Sequence, residues 1–307
     1  MNEIPHIPVM LNEVLENLCV KKGGVYVDGT FGNGGYTSAI LGVEGTKVFA
    51  FDRDETVLSK VEEFKKKYGD RFVFFQECFS DMLDVLKKNN VGEVDGLVLD
   101  IGVSSMQIDT AERGFSFRFD APLSMAMGKN DLDAKEVVNN FSEEELSNIF
   151  FKYGEEPRSR AIAKRIVSKR GDGVIKTTFE LVDIIKNVVG EWQATKVIPR
   201  IFQALRIFVN NELEELEKVL NDSENILKSG GRLVVVDFHS LEDRIVKNFI
   251  KSKTEKRQAL SRYVPINVCD EKLSFKIVNK NAIIPSEGEV EANARARSAK
   301  LRVVEKI

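Results

Sequence analysis

Along the first hundred residues the apolar positions keep two alternating rhythms. Val9 to Leu18 carries apolar side chains at helical spacing, and Gly23-Gly24 stops it. Short, nearly continuous apolar runs follow at Val25 to Asp28, Lys47 to Asp52, Phe72 to Gln76 and Gly96 to Asp100. Helical spacing returns between them, near Tyr36 to Leu41, Glu55 to Tyr68 and Ser80 to Asn89. Strands that are apolar on both faces and alternate with helices predict a parallel sheet covered on both sides. Three of the runs end in an acid: Asp28, Asp52 and Asp100.

The rhythm then changes. From about Met106 to Pro199 no segment reads as a strand. Phe141 to Tyr153 predicts a helix with Ser142 as N-cap and Glu145 completing a capping box. Arg158 to Arg170, Thr178 to Val189 and Ile198 to Leu227 also have helical spacing, the last with a loop at Val209 to Asn211. Strands resume at Arg232 to Asp237, after Gly230-Gly231, and at Ser274 to Val278 and Ala299 to Val304. The pattern predicts an α/β fold with a seven-stranded, mostly parallel, Rossmann-like sheet. Residues 1–105 and 205–307 would form that core, and 106–204 a mostly helical insertion domain.

Composition narrows the function classes. The chain has 307 residues, 43% hydrophobic and 30% charged, which is globular rather than disordered. No run reaches the roughly 18 to 20 apolar residues that span a bilayer, and the start lacks the features of a signal peptide. Cys19, Cys78 and Cys269 stand far apart without a CxxC pair, which fits a reduced cytoplasm. With only two histidines besides, a zinc site is not expected.

The net charge of -3 argues at first against a nucleic-acid partner. Segment by segment it does not. Arg158 to Arg170 holds six basic residues and no acid, and Arg244 to Arg262 holds seven against Glu255 alone. Arg295, Arg297, Lys300 and Arg302 add a basic tail, and acids collect elsewhere, in Asn211 to Glu224 and Glu287 to Glu291.

The chemistry concentrates after the first strand, at Asp28-Gly29-Thr30-Phe31-Gly32-Asn33-Gly34-Gly35. Glycines there allow a tight turn and a close backbone approach to a ligand. Asp52, at the end of the next strand, stands where an acid accepts hydrogen bonds from ribose hydroxyls. A dinucleotide site would seat a pyrophosphate on this turn, and Asp28 would repel it. The ammonium end of S-adenosylmethionine suits Asp28 better. No P-loop sequence is present.

Longer blocks carry a resemblance. They are Asp28 to Gly35, Asp100-Ile101-Gly102-Val103-Ser104-Ser105 with Gln107, and Glu112-Arg113-Gly114-Phe115-Ser116-Phe117. Further on come Tyr153-Gly154-Glu155-Glu156, Phe202 to Ile207, Phe238-His239-Ser240-Leu241-Glu242-Asp243-Arg244, and Asn293 to Arg302. In these the sequence resembles the bacterial small-subunit ribosomal RNA cytosine-N4 methyltransferases (the RsmH or MraW family) from His6 almost to the C-terminus. The resemblance implies a class I methyltransferase fold with a helical insertion. It implies methyl transfer from S-adenosyl-L-methionine to the N4 amine of a cytidine in the decoding region of 16S rRNA, within the small ribosomal subunit. Gly34, Gly35, Tyr36, Asp52, Phe79, Asp100 and Gln107 would surround the cofactor beside Asp28. Asp100 would contact the cofactor or the amine, and His239, after the fifth strand, would hydrogen-bond the base or relay a proton. Phe115, Phe117 or Phe119 would stack on the base. A cytoplasmic protein follows, with a homodimer as one candidate assembly.

Two departures stand out. The family reads roughly D-x-P-L-D-M-R-M where this chain has Asp120-Ala121-Pro122-Leu123-Ser124-Met125-Ala126-Met127. Ser124 and Ala126 thus replace an acid and an arginine, and Tyr36 replaces a histidine. They leave an alternative open: a divergent paralogue that binds the cofactor and the subunit but has another target or no catalysis.

Overall fold

The computed structural model describes residues 8–128, 132–255 and 273–307. His6, Cys269 and the basic residues Lys256, Arg257 and Arg262 lie outside the described residues. The chain divides into two compact units, Met1–Gly102 with Leu213–Ile307, and Val103–Glu212.

The first unit holds the strands β1 (Val25–Asp28), β2 (Lys47–Phe51), β3 (Phe72–Phe75), β4 (Val94–Asp100), β5 (Leu227–Asp237), β6 (Phe275–Ile277) and β7 (Lys300–Lys306). They form one sheet in the order β3-β2-β1-β4-β5-β7-β6. β1 to β5 run parallel, and β7 is antiparallel to both β5 and β6. Its helices are α1 (Leu11–Leu18), α2 (Gly35–Leu41), α3 (Leu58–Tyr68), α4 (Met82–Lys88), α11 (Glu212–Ile226, from Leu213 on), α12 (Ser240–Thr254) and α13 (Glu287–Ala292). The strands are apolar on both faces because both are covered: on one, Val27, Leu97, Leu99 and Val235 share a buried cluster with Leu216, Val219 and Val246, and on the other Leu18 of α1 and Tyr26 close on Gly96.

The order reverses direction between β1 and β4. In such sheets ligands bind outside the carboxyl ends of the strands at that switch point. Register brings the functional ends level there: Asp28 pairs with Ala50 and Val98, and Asp100 with Val236.

The second unit is helical, with α5 (Ser105–Asp109), α6 (Ala134–Asn140), α7 (Glu143–Gly154), α8 (Ser159–Arg170), α9 (Thr178–Val189) and α10 (Glu191–Asn210). Capping boxes start α5 (Ser104 with Gln107), α7 (Ser142 with Glu145) and α9 (Thr177 with Glu180). Leu146, Phe150, Ile162, Ile166, Leu181, Ile185, Ile201 and Leu205 are buried. No helix among the described residues is long and apolar enough to cross a membrane.

Three boundaries differ from expectation. α10 begins at Glu191 rather than Ile198 and carries Pro199 in its interior. Its apolar face, Ala194, Val197, Ile198 and Ile201, is buried on both sides of that proline, and packing offsets the missing N–H. The second unit therefore ends at Glu212 rather than 204, since α10 runs unbroken until Asn211 takes a left-handed φ of 52°. β5 also starts early, at Leu227, and passes through Gly230-Gly231 where its pairing with β4 shifts register.

Backbone contacts hold the segment that carries the two departures. The Arg113 guanidinium donates to the Ala126 carbonyl at 2.7 Å, and the Ala134 N–H donates to the Ser124 carbonyl at 2.8 Å. Asn210, 1% exposed, accepts from the Met127 N–H and donates to the Met125 carbonyl, each at 2.8 Å. These bonds use main-chain atoms at 124 to 127, so neither replaced side chain is needed for them. Asn210→Ala should strand those buried groups and lower unfolding stability by about 2 to 4 kcal/mol. Urea denaturation checks this, and a loss below about 0.5 kcal/mol, the level of an ordinary surface change, would contradict it.

Candidate functional site

The turn after β1 is built by its own polar groups. Asp28 is fully buried. One of its oxygens accepts from the Thr30 N–H at 3.1 Å and the other from the Thr37 hydroxyl at 2.7 Å. Burial pushes its carboxyl above the usual range, and these two bonds oppose that. The Thr30 hydroxyl in turn accepts from the Asp100 N–H at 2.8 Å, tying the end of β4 to the turn.

Gly34 sits at a φ of 74°, and a Cβ there would lie 2.5 Å from Phe64 Cζ. A Cβ on Gly35, the first residue of α2, would lie 2.0 Å from Pro8 Cγ. Gly34 requires glycine for its left-handed φ as well as for packing, and Gly35 for packing alone.

Asp52 follows β2. Its oxygens accept from the Gly32 and Asp54 N–H groups at 2.8 and 2.9 Å. Burial raises its carboxyl to about 6 despite those bonds. The lone pairs that remain can accept a ligand's hydroxyl hydrogens. Tyr36 is 3% exposed, and its hydroxyl donates to the Val9 carbonyl at 2.5 Å.

Asp100 ends β4, with its Oδ1 buried and lacking a hydrogen-bond partner among the described residues. Burial, then the charges of Asp28 and Glu242, push its carboxyl up to about 8, and only the nearby Tyr36 hydroxyl works the other way.

The edge continues along β5. His239 is the N-cap of α12; its Nδ1 accepts from the Glu242 N–H at 3.4 Å, and its Nε2 lies 3.0 Å from Glu242 Oε1. Glu242, fully buried, accepts from the Phe238 and His239 N–H groups at 2.9 and 3.2 Å. Asp237, also fully buried, has neither oxygen hydrogen-bonded among the described residues. Burial and the charges of Asp243 and Glu242 raise Asp237 to about 7, against Lys300 and Arg302.

The structure thus brings Asp28, Gly34, Gly35, Tyr36, Asp52 and Asp100 together around one turn. Phe79 opens the segment after β3, half-buried and packed against the sheet's apolar cluster. Gln107 belongs to the second unit, where its side chain accepts from the Ser104 N–H at 2.9 Å in the α5 capping box. Glu242, Asp237, Thr30 and Thr37 were not foreseen as site residues. The three-residue step from His239 to Glu242 is capping-box spacing, and that was the available signal for Glu242.

The basic stretches are partly spent on the fold. Arg170 donates to the Val138 and Phe141 carbonyls at 3.0 and 2.6 Å. Lys300 and Arg302 pair with Asp243 at 2.9 and 2.8 Å. Arg160, Lys164 and Arg165 on α8 are exposed, and no acid pairs with them among the described residues. Phe119 is 51% exposed, whereas Phe117 packs edge-on against Phe202 at 5.6 Å.

Residues 3–307 match the MraW methylase family. The chain is 50% identical over 305 residues to the ribosomal RNA small subunit methyltransferase H of Rickettsia felis, covering 98% of each chain. It is 49% identical to the protein of that name from Parvibaculum lavamentivorans, covering 98% of this chain and 89% of that one. An rRNA methylase structure from Streptococcus thermophilus is 13% identical, with a TM-score of 0.38 over 97% of this chain and 93% of that one.

Asp237 generates a stability prediction. Its folded value of about 7 lies above the ordinary 3.8, so the fold favours its protonated form. Stability is therefore lost as pH rises from the ordinary value through about 7, by a few kcal/mol at most. Asp237→Asn removes that loss. The variant should exceed wild type in thermal stability at about pH 8 and lose its advantage at about pH 4. An equal difference at both pH values would remove the titration from the account.

Proposed function

Since the chain belongs to the MraW methylase family, we propose that it methylates the exocyclic N4 amine of a cytidine in the decoding region of 16S rRNA, presented within the small ribosomal subunit in the cytoplasm. It is an S-adenosyl-L-methionine-dependent methyltransferase. The observation that carries the site reading is a strand edge lined with one buried and two half-buried carboxyls, Asp28, Asp52 and Asp100, none of them ion-paired with a Lys or Arg among the described residues; Arg53, next to Asp52, pairs with Glu215 instead. That donor set fits a cofactor bearing an ammonium and a sulfonium. S-adenosylmethionine supplies an electrophilic methyl on that sulfonium.

In this reading Asp52 accepts hydrogen bonds from the ribose hydroxyls, and Gly34, Gly35 and Tyr36 shape the turn against the ligand. Asp28 works from beneath, fixing the turn through Thr30 and Thr37 and adding negative potential. Phe79 lies against the adenine. The cytosine N4 amine is a poor nucleophile because its lone pair is delocalised into the ring. Asp100 accepts a hydrogen bond from that amine, drawing the lone pair out of conjugation and fixing its direction. Orientation of this kind contributes on the order of several kcal/mol. His239, the other proposed catalytic residue, is fixed by the α12 cap at the same sheet edge.

The second unit offers the RNA surface. Arg160, Lys164 and Arg165 meet phosphates, and of Phe115, Phe117 and Phe119 it is Phe119 that is most exposed to stack on a displaced base. The paralogue reading is disfavoured by half-identity over the full length and by a 124–127 segment held through its main chain.

Mass spectrometry of rRNA nucleosides tests the function. Deleting the gene should abolish N4-methylcytidine, wild type should restore it, and Asp100→Ala should not; persistence of the nucleoside in the deletion would overturn the reading. Asp52→Ala should weaken calorimetric cofactor affinity by about 1 to 3 kcal/mol, and an unchanged affinity would remove Asp52 from the site. Replacing Arg160, Lys164 and Arg165 together by Ala should lower the salt slope of RNA binding by about 2 to 3. Cofactor affinity should not change in that triple variant, and an unchanged salt slope would place the RNA elsewhere.

A further inference from the structure

Several acids elsewhere in the first unit are paired with cations, although among the described residues Asp237 is not. Asp95 lies 2.9 Å from Lys21 and 3.0 Å from Lys228. Asp243 binds Lys300 and Arg302, Glu305 binds Arg232 and Lys276, and Glu224 binds Lys253. Asp28, Asp52 and Asp100 are paired with none among the described residues.

Asp100 Oδ1 is buried and without a hydrogen-bond partner among the described residues, its N–H donates to the Thr30 hydroxyl, and its strand lies between β1, which ends in Asp28, and β5, which leads into α12; Asp28 and Glu242 act on it as charges and the Tyr36 hydroxyl as a hydrogen-bonding group. Asp28 and Glu242 are fully buried and acidic, Tyr36 is neutral, and Thr30 is a polar neutral group. His239 lies beside Glu242, its Nε2 3.0 Å from Glu242 Oε1. A buried carboxylate among buried carboxylates is costly unless it takes up a proton or a cation arrives.

We propose that Asp100 carries a proton in the cofactor-free protein and releases it when a ligand with positive charge at the methyl-donor position binds, so that this site selects the charged donor over its uncharged product. The idea rests on the cofactor reading above and deepens it. S-adenosylmethionine and S-adenosylhomocysteine share adenine, ribose, carboxylate and ammonium. They differ by one methyl and one positive charge at sulfur, and only that charge can replace the proton on Asp100. The value of about 8 for Asp100 agrees with a protonated group at neutral pH.

The consequence extends to the reaction. When the amine lone pair forms its bond to the methyl carbon, the carbon–sulfur bond breaks with its electron pair moving to sulfur, and the sulfur charge disappears. The methylated nitrogen then holds a surplus proton. Asp100, ionised while the charge was present, regains its affinity for a proton at that step and takes one from nitrogen. Charge and atoms balance without another base. The site then holds a neutral Asp100 and the product it binds more weakly.

Titration calorimetry in two buffers of different ionisation enthalpy counts the protons exchanged. The probes are S-adenosylmethionine, S-adenosylhomocysteine and sinefungin, which carries an amine in place of the sulfonium methyl. Near neutral pH the two charged ligands should release close to one proton more than S-adenosylhomocysteine. Their affinity relative to it should rise up to tenfold per pH unit below about 8. Ribose contacts at Asp52 are common to all three and cancel in that ratio. Asp100→Asn should abolish the excess release and flatten the ratio, while proton exchange by the ligands' own amines persists. Equal release by all three ligands, or an excess surviving in Asp100→Asn, would overturn the proposal and leave the cofactor reading intact. Failure of all three to bind would overturn both. If Asp100→Asn does not fold, the wild-type comparison decides alone.

Discussion

Carboxyls drawn in from solvent at the carboxyl ends of β1, β2 and β4, with no paired cation among the described residues, set the terms for the rest of the site. Isolated buried charge is among the most expensive features a fold can carry, and proteins usually neutralise it with a cation, a proton or a web of N–H donors. This protein uses donors for Asp28 and Asp52, whose oxygens are taken by the turn's own amides and hydroxyl. Asp100 receives no such donors at Oδ1 among the described residues. The turn that positions these acids depends in turn on them: Asp28 fixes Thr30 and Thr37, Thr30 fixes the end of β4, and Asp52 fixes Gly32. Site and local fold are one hydrogen-bonded unit.

Much of this was legible in the sequence. The five parallel strands were readable because buried parallel strands are continuous apolar runs, and three of the first four end in, or are followed by, the acids that define the edge. Ser142 and Glu145 announced α7 by a local rule of spacing. Less legible was anything decided by tertiary contact. Pro199 hid the first half of α10, since interior prolines normally end helices and only packing on both sides keeps this one. Glu242 stood inside a recognised block, but its reach to Asp100 depends on β4 and β5 being neighbours. Asp237 read as the last residue of a strand, and nothing local marks it as a buried acid facing Glu242.

The basic stretches teach the same lesson from the surface. Counted along the chain, Arg158 to Arg170 is a run of six cations. Folded, Arg170 holds two carbonyls and Lys169 pairs with Asp172 at 3.2 Å, which leaves the middle of α8 as the part open to phosphate. Lys300 and Arg302 are likewise bound to Asp243. Charge runs overstate a nucleic-acid footprint wherever arginine is also used to satisfy helix ends. The loop at 124 to 127 shows the converse. Two side chains differ from the family pattern there, yet the segment is held by its main chain, so the departures need not disturb its geometry.

The central claim is that ligand charge replaces a proton on a buried carboxyl. Infrared difference spectroscopy sees this directly, since a protonated carboxyl has a carbonyl stretch distinct from that of a carboxylate. Adding S-adenosylmethionine to the cofactor-free protein at neutral pH should remove one buried protonated-carboxyl band, which is absent from Asp100→Asn, while S-adenosylhomocysteine should leave it in place. Spectra in which both ligands remove the band, or neither does, would contradict the account.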